Sequence, residues 1–476
     1  MIRPNLVASA SAVVALSLVA VGNAEAQSSR AWISGDHHIH SRWSVGWDTE
    51  TDPPTAIKGG DAIYPIAMNA TMARYYGLSW MVGTDHGGPN HSKVNREQAY
   101  PELLLSRKAV PEVVQFYAME FDTPGADHSS MIMPHTHDEA EKLEELESSF
   151  AARDAWPRDP TRNTEPKMIE ALEHMRDMDE PPVVIAHHPS RSADSIGVYG
   201  LDAPAEFRKW NNTAPNVAIG MEGAPGHQAV VFRATGDSVT PGPRGAYGRQ
   251  PTMGGFDQMT ARLGGFWDSM LGEGRHWWIT ANSDSHVNWR EGGADFWPGE
   301  YSKTYVYADR AHDDILDGIR GGRVFVTLGD LVSELWVTAE AGGAEAGIGG
   351  ELEVSSGSDV QISVRVLDPA GENSHGDSPE VRRVDVIIGE VHGHLDDPTV
   401  DTNPTTAILQ RFTRSEWSRD GDYIVVNVTI PNVDQDMYVR VRGTNGDELE
   451  PQNDPPTEDP WTDLWFYSNP IFLTVR

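Results

Sequence analysis

Short apolar runs alternate with amphipathic stretches from residue 31 to about residue 325. Seven of the apolar runs have the length and flanking residues of buried strands: Ala31–Gly35, Leu78–Gly83, Val113–Ala118, Ser130–Met133, Val183–Ala186, Val217–Met221 and Trp277–Ala281. Helical spacing marks the stretches Asp61–Tyr76, Asp138–Ala151, Pro166–Met178, Gln258–Leu271 and Asp313–Arg320. Strands that alternate with helices predict an α/β fold with a parallel sheet, either closed into a seven-stranded barrel or doubly wound.

The periodicity changes after about residue 330. Strict alternation of apolar and polar positions occurs in Val360–Val366, Ile424–Ile430, Met437–Val441 and Ile471–Val475, with no long helical pattern between them. Such alternation is typical of strands with one buried face, so we expect a small antiparallel β-sandwich over residues 331–476. Even without its first 26 residues, the 476-residue chain is longer than one hydrophobic core usually holds. This supports a separate first domain at residues 27–330.

The first 26 residues have the pattern of a cleaved signal peptide. Arg3 gives a positive start, Leu6–Val21 is an uncharged apolar run, and Ala24-Glu25-Ala26 is a small-x-small cleavage pattern. The run is too short and too rich in Ala and Ser to favour a membrane span of about 20 strongly apolar residues, although a retained anchor is the alternative. We therefore expect a periplasmic or secreted protein with no membrane span in its mature chain.

Composition narrows the kinds of site that the chain can build. The sequence contains no cysteine, so any metal must be held by His, Asp and Glu, and a disulfide framework is excluded. A formal net charge of −34 repels phosphate backbones and argues against nucleic-acid binding. Small anionic substrates are not excluded, because a cation cluster can reverse the local potential.

Histidines and carboxylates stand next to the predicted strands of the first domain. They occur in Asp36-His37-His38-Ile39-His40, Thr84-Asp85-His86, Glu120, His128, His187-His188-Pro189, Glu222 and Ser283-Asp284-Ser285-His286. The strand ends of one sheet meet in a small space, where so many ionisable groups would stay unsatisfied without a cation. His38 and His40 also point to the same side of an extended segment. The pattern predicts a cluster of divalent metal ions.

Four other histidines stand apart from this pattern. A lone histidine is more often structural than a metal ligand, so we interpret His276, His312, His392 and His394 as structural residues.

In order and spacing, these motifs resemble those of the PHP superfamily (polymerase and histidinol phosphatase). The resemblance covers residues 31 to 330 and implies a distorted seven-stranded (β/α) barrel. Tyr301–Tyr307, Asp313–Val326 and Tyr467–Val475 resemble the exported branch that includes carbaryl hydrolases, which carries a C-terminal sandwich.

The resemblance also implies metal ligands. One ion would be held by His38, His40, Glu120 and Asp284; Glu120 would bridge to a second ion held by His128 and His188; and His86 and His286 would serve a third site. Nitrogen and oxygen ligands suit Zn, Mn or Fe.

The chain departs from the family pattern in two places. The family usually has Leu at the position of His37, whose side chain we expect to point away from the cluster. It often has a His or Asp ligand shortly after the His-x-His pair, where this chain has Ser44-Val45-Gly46. Asp48 either replaces that ligand or is a solvated loop residue. We expect two tightly bound ions and a third only at high metal concentration. His187 and His188 are both candidates for the second ion.

The ligand set predicts metal-dependent hydrolysis. Two bridged cations would lower the pKa of a bridging water from 15.7 towards about 7, and the hydroxide would attack an ester. His86 and His286 would orient the substrate or donate a proton to the leaving group. The substrate is expected to be a small phosphoester; a carboxylic or carbamate ester is the alternative, and a non-catalytic binding protein is a third hypothesis. The sequence does not predict the oligomeric state.

Two accessory features could contact the substrate. Arg191 follows His188 by three residues and would bind an anionic group, or is an exposed loop arginine. The Gly- and Pro-rich segment Asp237–Gly255 has the length of a functional loop, with His227 and Arg249 beside or within it.

Overall fold

The structure is a computed structural model that describes residues 30–232, 234–235, 238–239 and 242–476. The predicted signal peptide, residues 1–26, lies outside these residues. Within the described part of the chain, none of the helices has the length and apolarity needed to cross a membrane.

Strands and helices alternate through the first two-thirds of the chain. The strands are β1 (Ala31–Ile39), β2 (Gly46–Asp48), β3 (Thr55–Ile57), β4 (Trp80–Gly83), β5 (Val114–Phe121), β6 (Ser129–Ile132), β7 (Val183–Ala186), β8 (Ala218–Ala224), β9 (Ala234–Thr235), β10 (Ser238–Val239), β11 (Trp278–Ala281), β12 (Ser302–Ala308) and β13 (Val324–Leu328). The helices are α1 (Ile66–Tyr75), α2 (His91–Val94), α3 (Tyr100–Ala109), α4 (Glu139–Phe150), α5 (Glu165–Arg176), α6 (Pro204–Thr213), α7 (Gln258–Ala261), α8 (Phe266–Gly272) and α9 (His312–Arg320).

All seven runs predicted as strands in the first domain form strands, namely β1, β4, β5, β6, β7, β8 and β11. These seven strands are neighbours in one large mixed sheet, which continues from β1 into β12 and β13. The order is β11-β8-β7-β6-β5-β4-β1-β12-β13. The pairs β1–β4, β4–β5, β7–β8 and β8–β11 are parallel. This confirms the α/β class and the buried sheet.

One strand runs against the predicted direction. β6 is antiparallel to both β5 and β7. The link from β5 to β6 spans only residues 122–128, which is too short for the crossover that a parallel pair needs. His128, at the start of β6, therefore lies at the same edge of the sheet as the carboxyl ends of its neighbours.

The two ends of this strand series approach each other. Ile39 forms an isolated parallel bridge with Ser285, and the His40 amide donates to the Ser285 carbonyl at 3.0 Å. No ladder between described residues joins β11 to β1 or β12, so the closed barrel stays a prediction.

Helix Gln258–Leu271 was predicted as one segment and forms two. Arg262 ends α7 in an extended conformation, and Gly264 has a φ of +69°, which favours glycine. Helices α2, α3 and α6 were not predicted. In the structure α3 packs against β5 and α6 packs against β8.

The C-terminal third is built almost entirely of strands. These are β14 (Glu334–Ala341), β15 (Ala344–Gly347), β16 (Glu351–Val354), β17 (Ser358–Leu367), β18 (Arg383–Glu390), β19 (Ala407–Thr413), β20 (Ser418–Asp420), β21 (Tyr423–Val433), β22 (Met437–Thr444), β23 (Trp465–Ser468) and β24 (Ile471–Val475). A separate antiparallel sheet has the order β15-β14-β17-β21-β20.

The large sheet continues from the N-terminal strands into this C-terminal part. β13 pairs with β23, and the sheet goes on through β22 and β18 to β19. Asp268 of α8 and Arg440 of β22 form a buried two-pronged ion pair, with N–O distances of 2.8 and 2.7 Å. The boundary at residue 330 stays a prediction, and hydrogen-bonded pairing crosses it.

Candidate metal centre

The predicted ligands meet at one edge of the large sheet. His38 and His40 lie at the end of β1, Glu120 lies near the end of β5, and Asp284 follows β11. All four side chains are buried. The short apolar strands end where these polar residues begin, so the fold brings residues that are distant in sequence into one cluster.

The first group of donor atoms is compact. His38 Nε2 lies 3.0 Å from His40 Nε2 and 3.1 Å from Asp284 Oδ1, and His40 Nε2 lies 3.0 Å from the same Asp284 oxygen. Glu120 Oε1 is 3.3 Å from His38 Nε2. Ligand atoms that bind one ion at about 2.1 Å are about 3.0 Å apart at right angles and about 3.4 Å apart in a tetrahedron. The observed separations fit a single shared cation.

Glu120 faces imidazoles through both of its oxygens. Oε1 lies 3.0 Å from His128 Nδ1 and 3.6 Å from His188 Nε2, while Oε2 lies 2.5 Å from His86 Nδ1. A carboxylate with nitrogen donors on each oxygen has the arrangement of a bridging ligand between two ions.

Several buried donor and acceptor atoms of this cluster lie close to one another but outside hydrogen-bond geometry. They are Nδ1 of His86 and His128, both ring nitrogens of His188, Oε2 of Glu120 and Oδ1 of Asp284. Leaving such atoms unsatisfied costs about 1–3 kcal/mol each, so their convergence needs an explanation. Buried clusters of His, Glu and Asp with donor atoms within metal-binding distance are compatible with divalent metal ions.

A third group contains a carboxylate that the sequence did not predict. Asp61 Oδ2 lies 3.3 Å from His286 Nε2 and 3.6 Å from His86 Nε2, and these two nitrogens are 3.4 Å apart. Asp48 instead accepts a hydrogen bond from the Glu50 amide at 2.9 Å. Asp61, rather than Asp48, is therefore the carboxylate placed to complete a third site.

Partners outside the cluster orient the ligands. His38 Nδ1 contacts Glu222 Oε1 at 2.7 Å, and His40 Nδ1 contacts Ser44 Oγ at 2.7 Å. These contacts direct the Nε2 lone pair of each imidazole into the cluster.

The ring nitrogens distinguish His188 from His187. His187 uses both nitrogens, with Nδ1 at 2.9 Å from Glu120 Oε1 and Nε2 at 2.6 Å from Ser130 Oγ. The nitrogens of His188 have no hydrogen-bond partner. Hydrogen bonding therefore favours His188 as the ligand.

Burial and the neighbouring imidazoles shift the pKa values of the cluster's carboxylates in opposite directions. Burial raises the pKa of Glu120, but His128, His86 and His38 outweigh it and hold that pKa well below its usual value. Burial also raises the pKa of Asp284, but His227 and His38 outweigh it, so this pKa too is well below its usual value. Both carboxylates are therefore anionic and able to bind cations.

An open pocket of about 470 Å³ leads to the cluster. Its lining includes Arg191, whose guanidinium contacts Asp127 Oδ1 at 2.8 Å, and the apolar residues Val230, Ala246 and Val287. His227 also lines it and bridges Asp284 Oδ2 and Asp295 Oδ1, at 2.5 Å from each. Arg191 and His227 thus lie where a substrate would enter.

Other candidates lie away from the cluster. Arg249 pairs with Asp194 at the surface, and His276 contacts Glu351. His312 contacts the Gln115 carbonyl and His392 that of Gly393. Residues 237 and 240–241 of the predicted substrate loop lie outside the described residues.

No known protein-family model matches this chain, and no curated protein matches it significantly.

Proposed function

We propose that this protein is an exported divalent-metal-dependent hydrolase of small phosphoesters, with a PHP-like closed barrel. The observation that carries the proposal is the convergence of buried, unsatisfied imidazole and carboxylate atoms at the base of an open pocket. Zn, Mn or Fe would be held by His38, His40, Glu120, His128, His188 and Asp284, and would supply a water of lowered pKa as nucleophile.

The protein's own side chains bind the substrate and handle its protons. Arg191 would contact an anionic oxygen of the ester at the pocket rim. His86 and His286, at the open side of the cluster, would orient the substrate or donate a proton to the leaving group. Proton donation requires that the leaving group lies within hydrogen-bond reach of His86 or His286.

A second candidate is a carboxylic or carbamate ester hydrolase. The apolar lining residues Val230, Ala246 and Val287 favour it, because they would accommodate an uncharged aryl group. A protein that binds metal but does not hydrolyse any ester would correspond to the third hypothesis.

The test is a panel of p-nitrophenyl phosphate, bis-p-nitrophenyl phosphate and naphthyl esters, assayed on purified, chelator-treated and metal-restored protein. We expect phosphoester hydrolysis that chelation abolishes and that Zn, Mn or Fe restores. Full activity without metal would contradict the proposal, and faster turnover of naphthyl esters would establish the second candidate.

Arg191→Met provides a sharper comparison, with Arg249→Met as its surface control. We expect Arg191→Met to raise KM for phosphoesters about tenfold or more, the effect of losing one charge-assisted contact, and to leave naphthyl esters unchanged. Equal effects on both substrate classes would argue against phosphate recognition by Arg191.

Export is tested separately. Protein recovered from the periplasm or medium should begin at Gln27 if the signal peptide is cleaved after Ala26. An uncleaved N-terminus would indicate a retained anchor.

A further inference from the structure

A chain of four buried polar side chains, none of which lines the pocket, leads to Glu120 of the candidate metal cluster. Thr280 Oγ1 is 2.8 Å from His37 Nε2, and His37 Nδ1 is 3.0 Å from Ser130 Oγ. Ser130 Oγ is 2.6 Å from His187 Nε2, and His187 Nδ1 is 2.9 Å from Glu120 Oε1. His37 stands where the resembling family usually has Leu, so this chain of contacts is a property of this sequence.

The last contact sets the direction of the hydrogen bonds. A carboxylate oxygen can only accept, so His187 Nδ1 must carry the proton that it donates to Glu120. In the neutral ring, Nε2 is then a lone pair and needs a donor. The Ser130 hydroxyl is that donor, and its contact with His187 is shorter than its 3.0 Å contact with the His37 carbonyl.

The direction at His37 follows from the same reasoning. Because the Ser130 hydrogen points to His187, the Ser130 oxygen must accept from His37 Nδ1–H. In the neutral ring, His37 Nε2 then accepts from the Thr280 hydroxyl. A protonated His37 would donate to Ser130 in the same way, so the direction does not depend on the charge of His37.

The opposite direction is unfavourable. It would require Ser130 to donate to His37 and His187 to donate through Nε2, which leaves a lone pair of neutral His187 against Glu120. A doubly protonated His187 would avoid that clash but would place a cation against His38, whose ring stacks on His187 at 3.6 Å between centroids. Another positive charge beside bound divalent ions would weaken their binding.

We propose that Ser130, supported by His37 and Thr280, is a positioning residue: its hydroxyl donates to Nε2 of the Nδ1–H tautomer of His187, fixes the ring, and thereby orients Glu120 for metal binding. The effect acts through His187 and requires no direct contact between Ser130 and the metal or substrate. It rests on the metal centre of the proposed function but not on hydrolysis.

The first measurement is the tautomer of His187 in metal-free protein. Nitrogen-15 spectra of histidine-labelled protein distinguish the two tautomers, and the His187→Asn variant identifies the His187 signals. We expect Nδ1–H in the wild type and the same tautomer in Ser130→Ala, because Glu120 still requires it, but with an Nε2 signal shifted by the loss of the hydroxyl donor. An Nε2–H tautomer in the wild type, or an Nε2 signal that does not shift in Ser130→Ala, would overturn the proposal.

The second measurement is the affinity for Co²⁺, followed by absorption. We expect Ser130→Ala to weaken the tightest binding about 10- to 100-fold, the usual effect of removing a residue that orients a metal ligand. The control is Ser129→Ala, whose hydroxyl is equally buried in β6 but contacts Thr123 Oγ1 at 2.8 Å. Unchanged affinity in Ser130→Ala, or an equal loss in Ser129→Ala, would contradict a positioning role.

A second pair of variants tests the far end of the chain. Thr280→Val removes the hydroxyl at nearly constant volume, whereas Thr280→Ser retains it. We expect a smaller loss of Co²⁺ affinity in Thr280→Val, about threefold, and recovery in Thr280→Ser. Equal losses in both would indicate altered packing and refute the role of Thr280. Because neither measurement uses a substrate, a failed hydrolysis assay would leave these outcomes unaffected.

Discussion

Replacing Asp61 by Asn tests the carboxylate that the structure adds to the third group. The substitution preserves size and one oxygen but removes the negative charge that faces His86 and His286. Burial raises the pKa of Asp61, yet the hydrogen bond and charge of His286 and the charge of His86 bring it to about 2. Asp61 is therefore anionic at neutral pH, and its replacement removes a full charge from the third site.

The expected loss of metal affinity follows from the exposed fraction of the Asp61 side chain. Loss of a residue that supports a metal site typically costs about 10- to 100-fold in affinity, and each decade corresponds to about 1.4 kcal/mol. The Asp61 side chain is 43% exposed, whereas that of Glu120 is 1% exposed. Solvent screens the charge of Asp61 more strongly than that of Glu120. We therefore expect a loss at the lower end of this range, with binding of the third ion alone weakened about tenfold.

The assay is a titration of metal-free protein with Zn²⁺ in competition with a chelating dye. We expect two tight equivalents and a weaker third in the wild type, with only the third weakened in Asp61→Asn. Asp48→Asn is the matched control and should titrate like the wild type. A third equivalent that depends on Asp48 and not on Asp61 would refute this assignment, as would a wild type that never binds a third ion.

Glu120→Gln should lose at least one ion and reduce turnover on the order of a hundredfold; normal metal content and turnover would show that Glu120 is not a ligand. Asp268→Asn should reduce the free energy of unfolding by about 3–5 kcal/mol, because it leaves the buried Arg440 guanidinium without its counter-charge; urea denaturation measures this, and a loss below about 1 kcal/mol would mean that the pair behaves like an exposed one. Burial lowers the pKa of His91, but Glu147 outweighs it and raises the pKa to about 9, above the ordinary 6.5. The stability that His91 contributes is therefore full below pH 6.5 and lost as the pH rises through about 9, so the stability advantage of the wild type over His91→Gln should shrink across that range, and a constant difference would contradict the protonated state.

The sequence predicted the cluster of buried His, Glu and Asp side chains because these residues lie next to short apolar strands. Residues at strand ends keep their position relative to the sheet, so His38, Glu120 and Asp284 could be placed together without knowledge of any loop. The direction of β6 was less accessible, since apolar periodicity is the same in parallel and antiparallel strands. The short link between Phe121 and Ser129 contained the information.

The partners that orient the ligands were harder to predict. The contacts of Ser130 and Thr280 with His37 and His187 depend on which buried side chains face one another across four strands. Neither serine nor threonine has a distinctive spacing in the sequence, and small hydroxyl residues are common in strands. Only the three-dimensional arrangement identifies them as hydrogen-bond partners of imidazoles.

Asp61 shows how a loop can bring a carboxylate to a cluster of imidazoles that lies far from it in the sequence. The β2–β3 hairpin pairs Gly46 with Ile57 and returns the chain to its starting point, so that the Asp61 amide donates to the Ser44 carbonyl at 3.3 Å. This return requires close contact of two backbones, because a Cβ atom on Gly60 would lie 2.6 Å from Gly46 Cα. The glycines of the hairpin thus bring Asp61 beside the Ser44-Val45 segment. The carboxylate predicted from the sequence, Asp48, accepts a hydrogen bond from the Glu50 amide within the hairpin, whereas the fold places Asp61, four residues after the second strand, beside His86 and His286.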